Sequence, residues 1–204
     1  MEVKNRVTVK LIKIGGSIMT KLILIRHGEP DYSDVTERNF KGHGRDLGHL
    51  TPAGIEQAKA VAKDERLKGA SIIVSSPYTR ALQTAAIISK ETSLDISIEL
   101  DIHEWLPDLT YNYVNDEVVQ QAARECTLCK GEYGDKESKN WEKLSTVAGR
   151  AFKALEKYLD YDKIIVVTHG VVMRQFKFQP TIPYCGIVEV DFHKDYKWSG
   201  WIEN

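Results

Sequence analysis

Three short aliphatic runs are the feature that most constrains the fold of this chain. They are KLILI (21–25), SIIVSS (71–76) and KIIVVTH (163–169). Runs that are apolar at consecutive rather than alternate positions are typical of strands covered on both faces. The sequence therefore predicts buried, mostly parallel strands with helices packed on either side of the sheet.

Helical segments are predicted between and after these runs. The first opens with Thr51 as N-cap and Pro52 at the first helical position. From residue 186 onward, the sequence predicts a hairpin that closes one edge of the sheet. Alternating strands and helices indicate an α/β fold with a mostly parallel central sheet. The predicted helices cover residues 51–68, 77–90, 115–130 and 137–159.

The length of 204 residues predicts one domain, residues 19–204, preceded by an extension, residues 1–18, to which no role is assigned. With 28 basic and 29 acidic residues, the chain lacks the positive excess of a nucleic-acid-binding protein. Its apolar runs are too short to span a bilayer, and lysines interrupt the apolar positions of residues 1–18. Three cysteines suit a reducing compartment. We therefore expect a cytoplasmic protein without nucleic-acid or membrane partners.

Cys126 and Cys129 form a C-x-x-C pair, which raises the alternative of a zinc site. One such pair supplies two ligands, whereas a structural zinc site needs four. No second pair with suitable spacing follows, and residues three apart on a predicted helix simply share a face. We therefore predict no metal site.

Cationic side chains follow three of the predicted strands at the point where each strand ends. Arg26 and His27 end the first strand, Arg80 follows the second within the first turn of a helix, and His169 ends the last. Because ligands of parallel sheets gather at the carboxyl ends of the strands, these four side chains are expected to converge. Any one of them alone would be ordinary, but four at three strand ends indicate an anion site.

This combination suits phosphoryl transfer through histidine. A neutral imidazole is a competent nucleophile that divides one difficult displacement into two easier ones. Guanidinium groups bind the phosphoryl oxygens, and a second histidine, held protonated beside the anion, donates a further hydrogen bond. The pattern lacks only a proton donor for the departing alkoxide.

Four segments, LIRHGEP, LTPAGIEQA, SSPYTRALQTA and VVTHG, resemble the signature segments of the histidine phosphatase superfamily, which is also called phosphoglycerate mutase-like. They occur in the family's order and cover most of residues 20–172. The resemblance implies His27 as the phosphorylated nucleophile. It also implies that Arg26, Arg80 and His169 complete the phosphate pocket, without a metal or an organic cofactor.

The resemblance further implies a carboxylate proton donor after the third strand. The stretch Ile102-His103-Glu104 best matches the family's pattern, so Glu104 is the predicted donor, and His103 is left unassigned. The segment IELDIHEWLPDL offers four carboxylates in all: Glu99, Asp101, Glu104 and Asp108.

The family often has Thr or Ser where this chain has Pro30, and Asn where this chain has Ser33. Ser33 is therefore a candidate hydrogen-bond donor to phosphate.

The segment 105–138 is predicted to cap the pocket, with aromatic side chains as candidate walls or, alternatively, as core. The loop 36–46 is either a contact for an anionic substrate or a solvated loop. The candidate walls are Trp105, Tyr111 and Tyr113, and the basic side chains of the loop are Arg38, Lys41, His43 and Arg45.

Three functions agree with these residues to different degrees. A phosphatase acting on a small phosphorylated metabolite is the leading prediction. A phosphoglycerate mutase would share the nucleophile and the arginines, but such mutases resemble one another in an R-R-x-Y-x-x-P-P-P-like stretch that this sequence lacks. A non-catalytic binding module would be expected to have lost the nucleophile or an arginine, and the sequence retains all of them.

Overall fold

The computed structural model describes residues 13–14, 17–113, 115–134, 137 and 139–201. The rest of the extension, residues 1–12 and 15–16, lies outside the described residues. The strands are β1 (Lys13–Ile14), β2 (Ser17–Arg26), β3 (Pro30–Asp31), β4 (His49–Leu50), β5 (Ile73–Ser75), β6 (Ile96–Ile98), β7 (Lys163–Thr168) and β8 (Ile187–His193). The α-helices are α1 (Ser33–Glu37), α2 (Pro52–Val61), α3 (Thr79–Thr92), α4 (Asp116–Leu128), α5 (Leu144–Leu155) and α6 (Gly170–Phe176). Short 3-10 turns cover Gly42–Leu47, Glu65–Leu67, Leu100–Ile102 and Glu156–Tyr158.

The main sheet has four parallel strands in the order β2, β7, β5, β6. Strand β8 pairs antiparallel with β2 on the edge away from β7, and β1 pairs antiparallel with the first residues of β2. Strands β3 and β4 form a separate two-stranded ribbon. This topology confirms the predicted α/β fold with a mostly parallel sheet.

The aliphatic runs are buried on both faces of the sheet, as predicted. Leu22 and Leu24 of β2 pack with Val147 of α5 and its neighbours in α6, whereas Ile23 and Ile25 pack on the opposite side with α2 and α3. All four of these β2 side chains are fully buried. Because successive strand residues point to opposite faces, an uninterrupted apolar run needs helices on both sides. Each such side chain contributes about 1.5–3 kcal/mol by leaving water.

The strand register places the ends of three strands at the same rim. Arg26 of β2 lies opposite Thr168 of β7, and the backbone N–H of His27 donates to the Thr168 carbonyl at 3.0 Å. On the other side of β7, Ser75 of β5 lies opposite Val167. The two histidines that end β2 and β7 are therefore neighbours across the sheet.

The predicted helix over 137–159 was wrong at its start, since α5 begins at Leu144. Residues 139–143 adopt an irregular path in which Trp141 is buried against Tyr133, and the Leu106 N–H donates to the Glu142 carboxylate. These tertiary contacts replace a first helical turn. The other predicted helices form, but α2 already ends at Val61, and α3 begins at Thr79, after Pro77.

The predicted C-terminal hairpin was also wrong. Strand β8 forms the edge, but residues 194–201, all of which the structure describes, contain no second strand. Instead, the ring of Tyr196 packs against Phe152 and Phe176, and Trp198 Nε1–H donates to the side chain of Gln175. The chain end thus covers the core rather than extending the sheet. Over the described ranges, no helix is long and apolar enough to cross a membrane.

Candidate active site

His27 lies at the end of β2 with its side chain buried. Its Nδ1 is 2.7 Å from the carbonyl oxygen of Gly28, and its Nε2 is 3.3 Å from Nε of Arg80. A carbonyl oxygen only accepts hydrogen bonds, so Nδ1 carries the proton in the neutral ring. The lone pair is therefore on Nε2, which faces the guanidinium group.

The surroundings of His27 keep its ring neutral. Burial, followed by the charges of Arg80 and Arg26, lowers the pKa of His27 to about 3, and the hydrogen bond to Gly28 only partly opposes this. Burial disfavours the charged imidazolium, and each nearby guanidinium adds repulsion. At neutral pH the ring of His27 is therefore unprotonated.

Two glycines hold the loop that carries His27 against the start of α2. A Cβ on Gly28 would lie 2.6 Å from the Gly54 carbonyl oxygen, so only glycine allows this approach. The Gly28 N–H donates to the hydroxyl of Thr84 in α3, and the Thr51 hydroxyl donates to the Glu29 carboxylate at 2.7 Å. These contacts explain why the RHGEP and LTPAGIEQA segments occur together in one sequence.

Arg80 lies in the first turn of α3 and is 4 % exposed. Its Nη1 donates to the Asp46 carboxylate at 3.0 Å, and its guanidinium carbon lies 5.1 Å from the centre of the Tyr78 ring. Burial favours the neutral guanidine, but Tyr32, Asp46 and other acidic neighbours outweigh it and raise the pKa of Arg80. This arginine therefore stays charged beside His27.

Arg26 lines the cavity, and His169 lies fully buried beside His27 without being among the described residues that line the cavity. Nη1 of Arg26 donates to the Ile182 carbonyl at 2.6 Å, and its guanidinium carbon lies 4.3 Å from the centre of the Tyr184 ring. The ring of His169 lies 5.1 Å from that of His27 between centroids. Arg26 Nε and His169 Nδ1 are buried and have no hydrogen-bond partner within the described part of the chain. Since buried donors are normally paired, the Nε–H of Arg26 is available to an acceptor that enters the cavity.

His169 is bonded to its neighbour Ser76. Ser76 Oγ lies 2.8 Å from His169 Nε2 and also accepts from the Tyr78 N–H at 3.4 Å. In the tautomer in which this hydroxyl donates to Nε2, Nδ1 carries the N–H. Burial, with the charge of Arg80 next in importance, places the pKa of His169 well below its ordinary value. The protonated form predicted from the sequence therefore requires the charge of a bound anion.

Glu104 follows the 3-10 turn Leu100–Ile102 and lines the same cavity. Its Oε1 accepts from the Trp105 N–H at 2.9 Å. Burial raises the pKa of Glu104, and this effect outweighs the hydrogen bond from Trp105 and the charge of Arg80, which lower it. A carboxyl group that retains its proton to higher pH is suited to act as an acid.

Arg150 of α5 fixes the loop that presents Glu104. Its Nη1 donates to the carbonyls of Asp101 and His103 at 2.7 and 2.8 Å, and its Nη2 donates to the Glu104 carbonyl at 3.2 Å. Its Nε donates to the carboxylate of Glu142 at 2.7 Å. This role could not be predicted from the sequence, because Arg150 occupies an ordinary position in a helix.

The other three candidate carboxylates are not among the described residues that line the cavity. Glu99 is paired with Lys157 at 3.0 Å, and the carboxylate of Asp108 accepts from Thr110. Of the four carboxylates between residues 98 and 109, the structure brings only Glu104 to the histidines.

Ser33 is not brought to the site. It is exposed, and its hydroxyl donates to the carboxylate of Asp31 at 2.7 Å, with its backbone N–H bonded to the same oxygen. A side chain that closes such a local turn faces away from the histidines. Ser33 is not among the residues of the described chain that line the cavity.

The cavity above His27 has a volume of about 250 Å³. Trp105 and Tyr113 form part of its wall, as predicted, whereas Tyr111 lies at the surface with its ring 4.6 Å from that of His43. Arg45 of the basic loop lines the cavity, but the exposed Arg38 and Lys41 do not. Four further lining residues had no sequence signal: Tyr32, Asp46, Asp116 and Tyr184.

The described residues include no group of three or more His, Cys, Asp or Glu side chains that could hold a metal ion. Cys126 is a buried free thiol of α4, and Cys129 is a partly exposed free thiol at the end of that helix. Burial raises the pKa of Cys126 to about 11.

A buried imidazole whose Nε2 faces the guanidinium group of Arg80, at the rim of a parallel sheet, is the arrangement expected of an enzyme that acts on phosphate esters. Residues 22–179 match the sequence model of the histidine phosphatase superfamily (branch 1), and the chain belongs to this family. It is a phosphoric monoester hydrolase by class.

Curated relatives include both phosphatases and mutases. Phosphoserine phosphatase 1 of Hydrogenobacter thermophilus is 28 % identical over 183 residues, which cover 86 % of this chain and 80 % of the relative. The probable phosphoglycerate mutase GpmB of Enterobacter sp. (strain 638) is 26 % identical over 158 residues, or 76 % of this chain and 72 % of the relative.

Solved structures share the fold at lower identity. The mycobacterial glucosyl-3-phosphoglycerate phosphatase superposes with a TM-score of 0.62 at 17 % identity, covering 91 % of this chain and 100 % of that structure. The phosphoglycerate mutase of Bacillus anthracis superposes with a TM-score of 0.63 at 17 % identity, covering 90 % and 93 % of the two chains. These likenesses confirm the phosphoglycerate mutase-like fold.

Proposed function

We propose that this enzyme hydrolyses a small phosphorylated metabolite through a phosphohistidine on His27, with Glu104 as proton donor. The observation that carries the proposal is the tautomer of His27. Its Nδ1–H is engaged by the Gly28 carbonyl, and its Nε2 lone pair faces Arg80 inside the cavity.

The reaction has two steps. Nε2 of His27 attacks phosphorus, the bond to the ester oxygen breaks, and the departing alkoxide takes the proton of Glu104. Water then attacks the phosphohistidine, the Glu104 carboxylate takes a proton from this water, and inorganic phosphate leaves. Arg26, Arg80 and the Nδ1–H of His169 stabilise the negative charge that spreads over the phosphoryl oxygens. No metal or organic cofactor takes part in this scheme.

The size and lining of the cavity support a small substrate. Its volume of about 250 Å³ accommodates a metabolite rather than a macromolecule. Beyond His27, the wall carries both Arg45 and Asp116 together with tyrosine rings, and several of these residues belong to the proposed cap, 105–138. Phosphoserine and phosphorylated glycerate derivatives, which are named in the relatives, are the first substrates to test. The three free cysteines support a cytoplasmic location.

A phosphoglycerate mutase is the second candidate, because proteins named as mutases occur among the relatives. A mutase returns the phosphoryl group from the histidine to a hydroxyl of the substrate instead of to water. Incubation with 3-phosphoglycerate, followed by phosphorus NMR, distinguishes the two. The 2-phosphoglycerate signal indicates a mutase, and free phosphate indicates a phosphatase.

The decisive experiment combines a substrate panel with trapping of the intermediate. Phosphate release is measured over a panel of phosphomonoesters, with EDTA present, and the best substrate is then used in radiolabelled form with a rapid denaturing quench. The label is expected to be acid-labile and alkali-stable, and to be absent from His27→Ala. His49→Ala, which alters an exposed histidine remote from the cavity, should keep the label. A label that resists acid or persists in His27→Ala would contradict the proposal, as would activity that requires added magnesium.

A further inference from the structure

A carboxylate is bonded to one of the two arginines beside His27 in the cavity. Asp46 lines it, with its side chain only 13 % exposed, and accepts a hydrogen bond from Nη1 of Arg80 at 3.0 Å. Its second oxygen lies 3.4 Å from Nδ1 of His43. The arginine nearest to the Nε2 of His27 is therefore shared between the site and an acidic residue of the protein itself.

The segment that carries Asp46 is held firmly in place. It is the 3-10 turn Gly42–Leu47, whose first N–H donates to the Tyr113 carbonyl at 2.9 Å. Gly42 has a φ of +50°, and a Cβ there would lie 2.1 Å from the Tyr111 carbonyl oxygen. Only glycine fits this position, so the turn is packed against the segment 111–113 and delivers Asp46 at a fixed place.

The contact between Asp46 and Arg80 has two physical consequences. A guanidinium group is planar, so a bond at Nη1 sets the direction in which Nε points, and Nε points at Nε2 of His27. The second consequence concerns charge. A carboxylate beside the phosphate site repels a phosphate dianion and thereby opposes the attraction of the two arginines.

We propose that Asp46 is a positioning residue that orients Arg80 towards the reacting phosphoryl group and also weakens the hold of the pocket on inorganic phosphate, so that the product leaves. The inference rests on the proposed function in that it takes this cavity as the phosphate site. An enzyme whose arginines were unopposed would retain its product, since phosphate and the transferring group share the same oxygens.

Two substitutions separate orientation from charge. Asp46→Asn retains an oxygen that accepts from Arg80 but removes the negative charge, so inorganic phosphate and vanadate should bind on the order of tenfold more tightly. Asp46→Ala removes both, so kcat/KM should fall on the order of tenfold below that of Asp46→Asn, because Arg80 loses its orientation. The matched control is Asp64→Asn, which alters a partly exposed carboxylate that is paired with Arg66 at 2.7 Å and does not line the cavity.

Phosphate affinity is measured by calorimetry without turnover, vanadate inhibition and kcat/KM by phosphate release, and folding by circular dichroism. The charge effect would be overturned if the Asp46→Asn protein bound phosphate no more tightly than the unaltered protein. The absence of measurable binding in both proteins would overturn it as well. Equal kcat/KM in Asp46→Asn and Asp46→Ala would overturn the positioning role. If the protein binds phosphate but hydrolyses no ester, the proposed function is wrong. The effect of Asp46 on phosphate affinity can still be measured in that case, because the affinity comparison needs no catalysis.

Discussion

Glu104→Gln is expected to slow the hydrolysis of alkyl phosphates strongly and that of aryl phosphates only mildly. Glutamine has nearly the same shape, and its carbonyl oxygen can still accept from the Trp105 N–H that now bonds to Oε1. The backbone of residue 104 stays clamped by Arg150. The substitution thus removes the transferable proton while leaving the loop in place.

The magnitude follows from the role of a positioned acid. Such an acid supplies roughly 10²–10⁴-fold in rate, or about 2.7–5.4 kcal/mol at about 1.36 kcal/mol per tenfold. An alkoxide is a strong base and needs the full contribution, whereas nitrophenolate is a weak base and leaves without a proton. Burial raises the pKa of Glu104, so its acid form persists to higher pH than that of an exposed glutamate. We expect kcat/KM to fall by about 10²–10⁴ for an alkyl ester and by less than about tenfold for p-nitrophenyl phosphate.

The assay compares kcat/KM for the two esters. This ratio reports the phosphorylation of His27, whereas kcat can be limited by breakdown of the phosphoenzyme that both esters share. Glu99→Gln and Asp108→Asn serve as controls, because these carboxylates are bonded to Lys157 and Thr110 outside the cavity. Equal falls for both esters in Glu104→Gln, or a leaving-group effect in either control, would refute the assignment.

Three further outcomes are expected. Arg80→Lys keeps the charge but loses the planar fork, so kcat/KM should fall on the order of 10²-fold for alkyl and aryl esters alike; near-normal activity would show that charge alone suffices. The pKa of His27 is lowered to about 3, so the unfolded chain takes up its proton first as the pH falls below about 6.5. His27 should therefore lower the free energy of unfolding, measured with urea, by about 1.4 kcal/mol for each pH unit between about pH 6.5 and 3. The free energy of unfolding of the His27→Gln protein should decrease less steeply over the same range. Gly54→Ala should lower the Tm, because its Cβ would lie 2.3 Å from the Glu29 carbonyl, whereas Gly149→Ala, with no atom within 4 Å in the middle of α5, should raise it.

Local pattern predicted the elements whose stability depends on the sheet core. Consecutive aliphatic residues such as Ile164 to Val167 need helices on both faces, so the run determined both the strand and its layer. The hairpin failed for a different reason. The residues after β8 are aromatic at near-strand spacing, but Tyr196 packs on Phe152, which is distant in sequence. Such long-range packing overrides strand propensity and leaves no local trace.

In the site, too, some residues could be predicted from local pattern and others could not. The four inner residues stand at strand ends or in the first turn of a helix, where the topology of a parallel sheet brings them together. The outer wall is assembled from loops, so Tyr32, Tyr184 and Asp46 reach the cavity through turns whose paths no periodicity specifies. Ser33 illustrates the converse, since its position suggested a phosphate contact and a bond to Asp31 holds it outside.

The buried nitrogen atoms of Arg26 and His169 that have no acceptor imply a conflict between thermal stability and function. A buried donor that finds no partner costs on the order of 1–3 kcal/mol, so the resting protein is less resistant to heat than it would be with both donors paired. Selection for a high melting temperature alone would therefore tend to erase the site. Performed in phosphate or vanadate, the same selection would favour its retention, because an oxyanion that pairs with both donors stabilises the folded state.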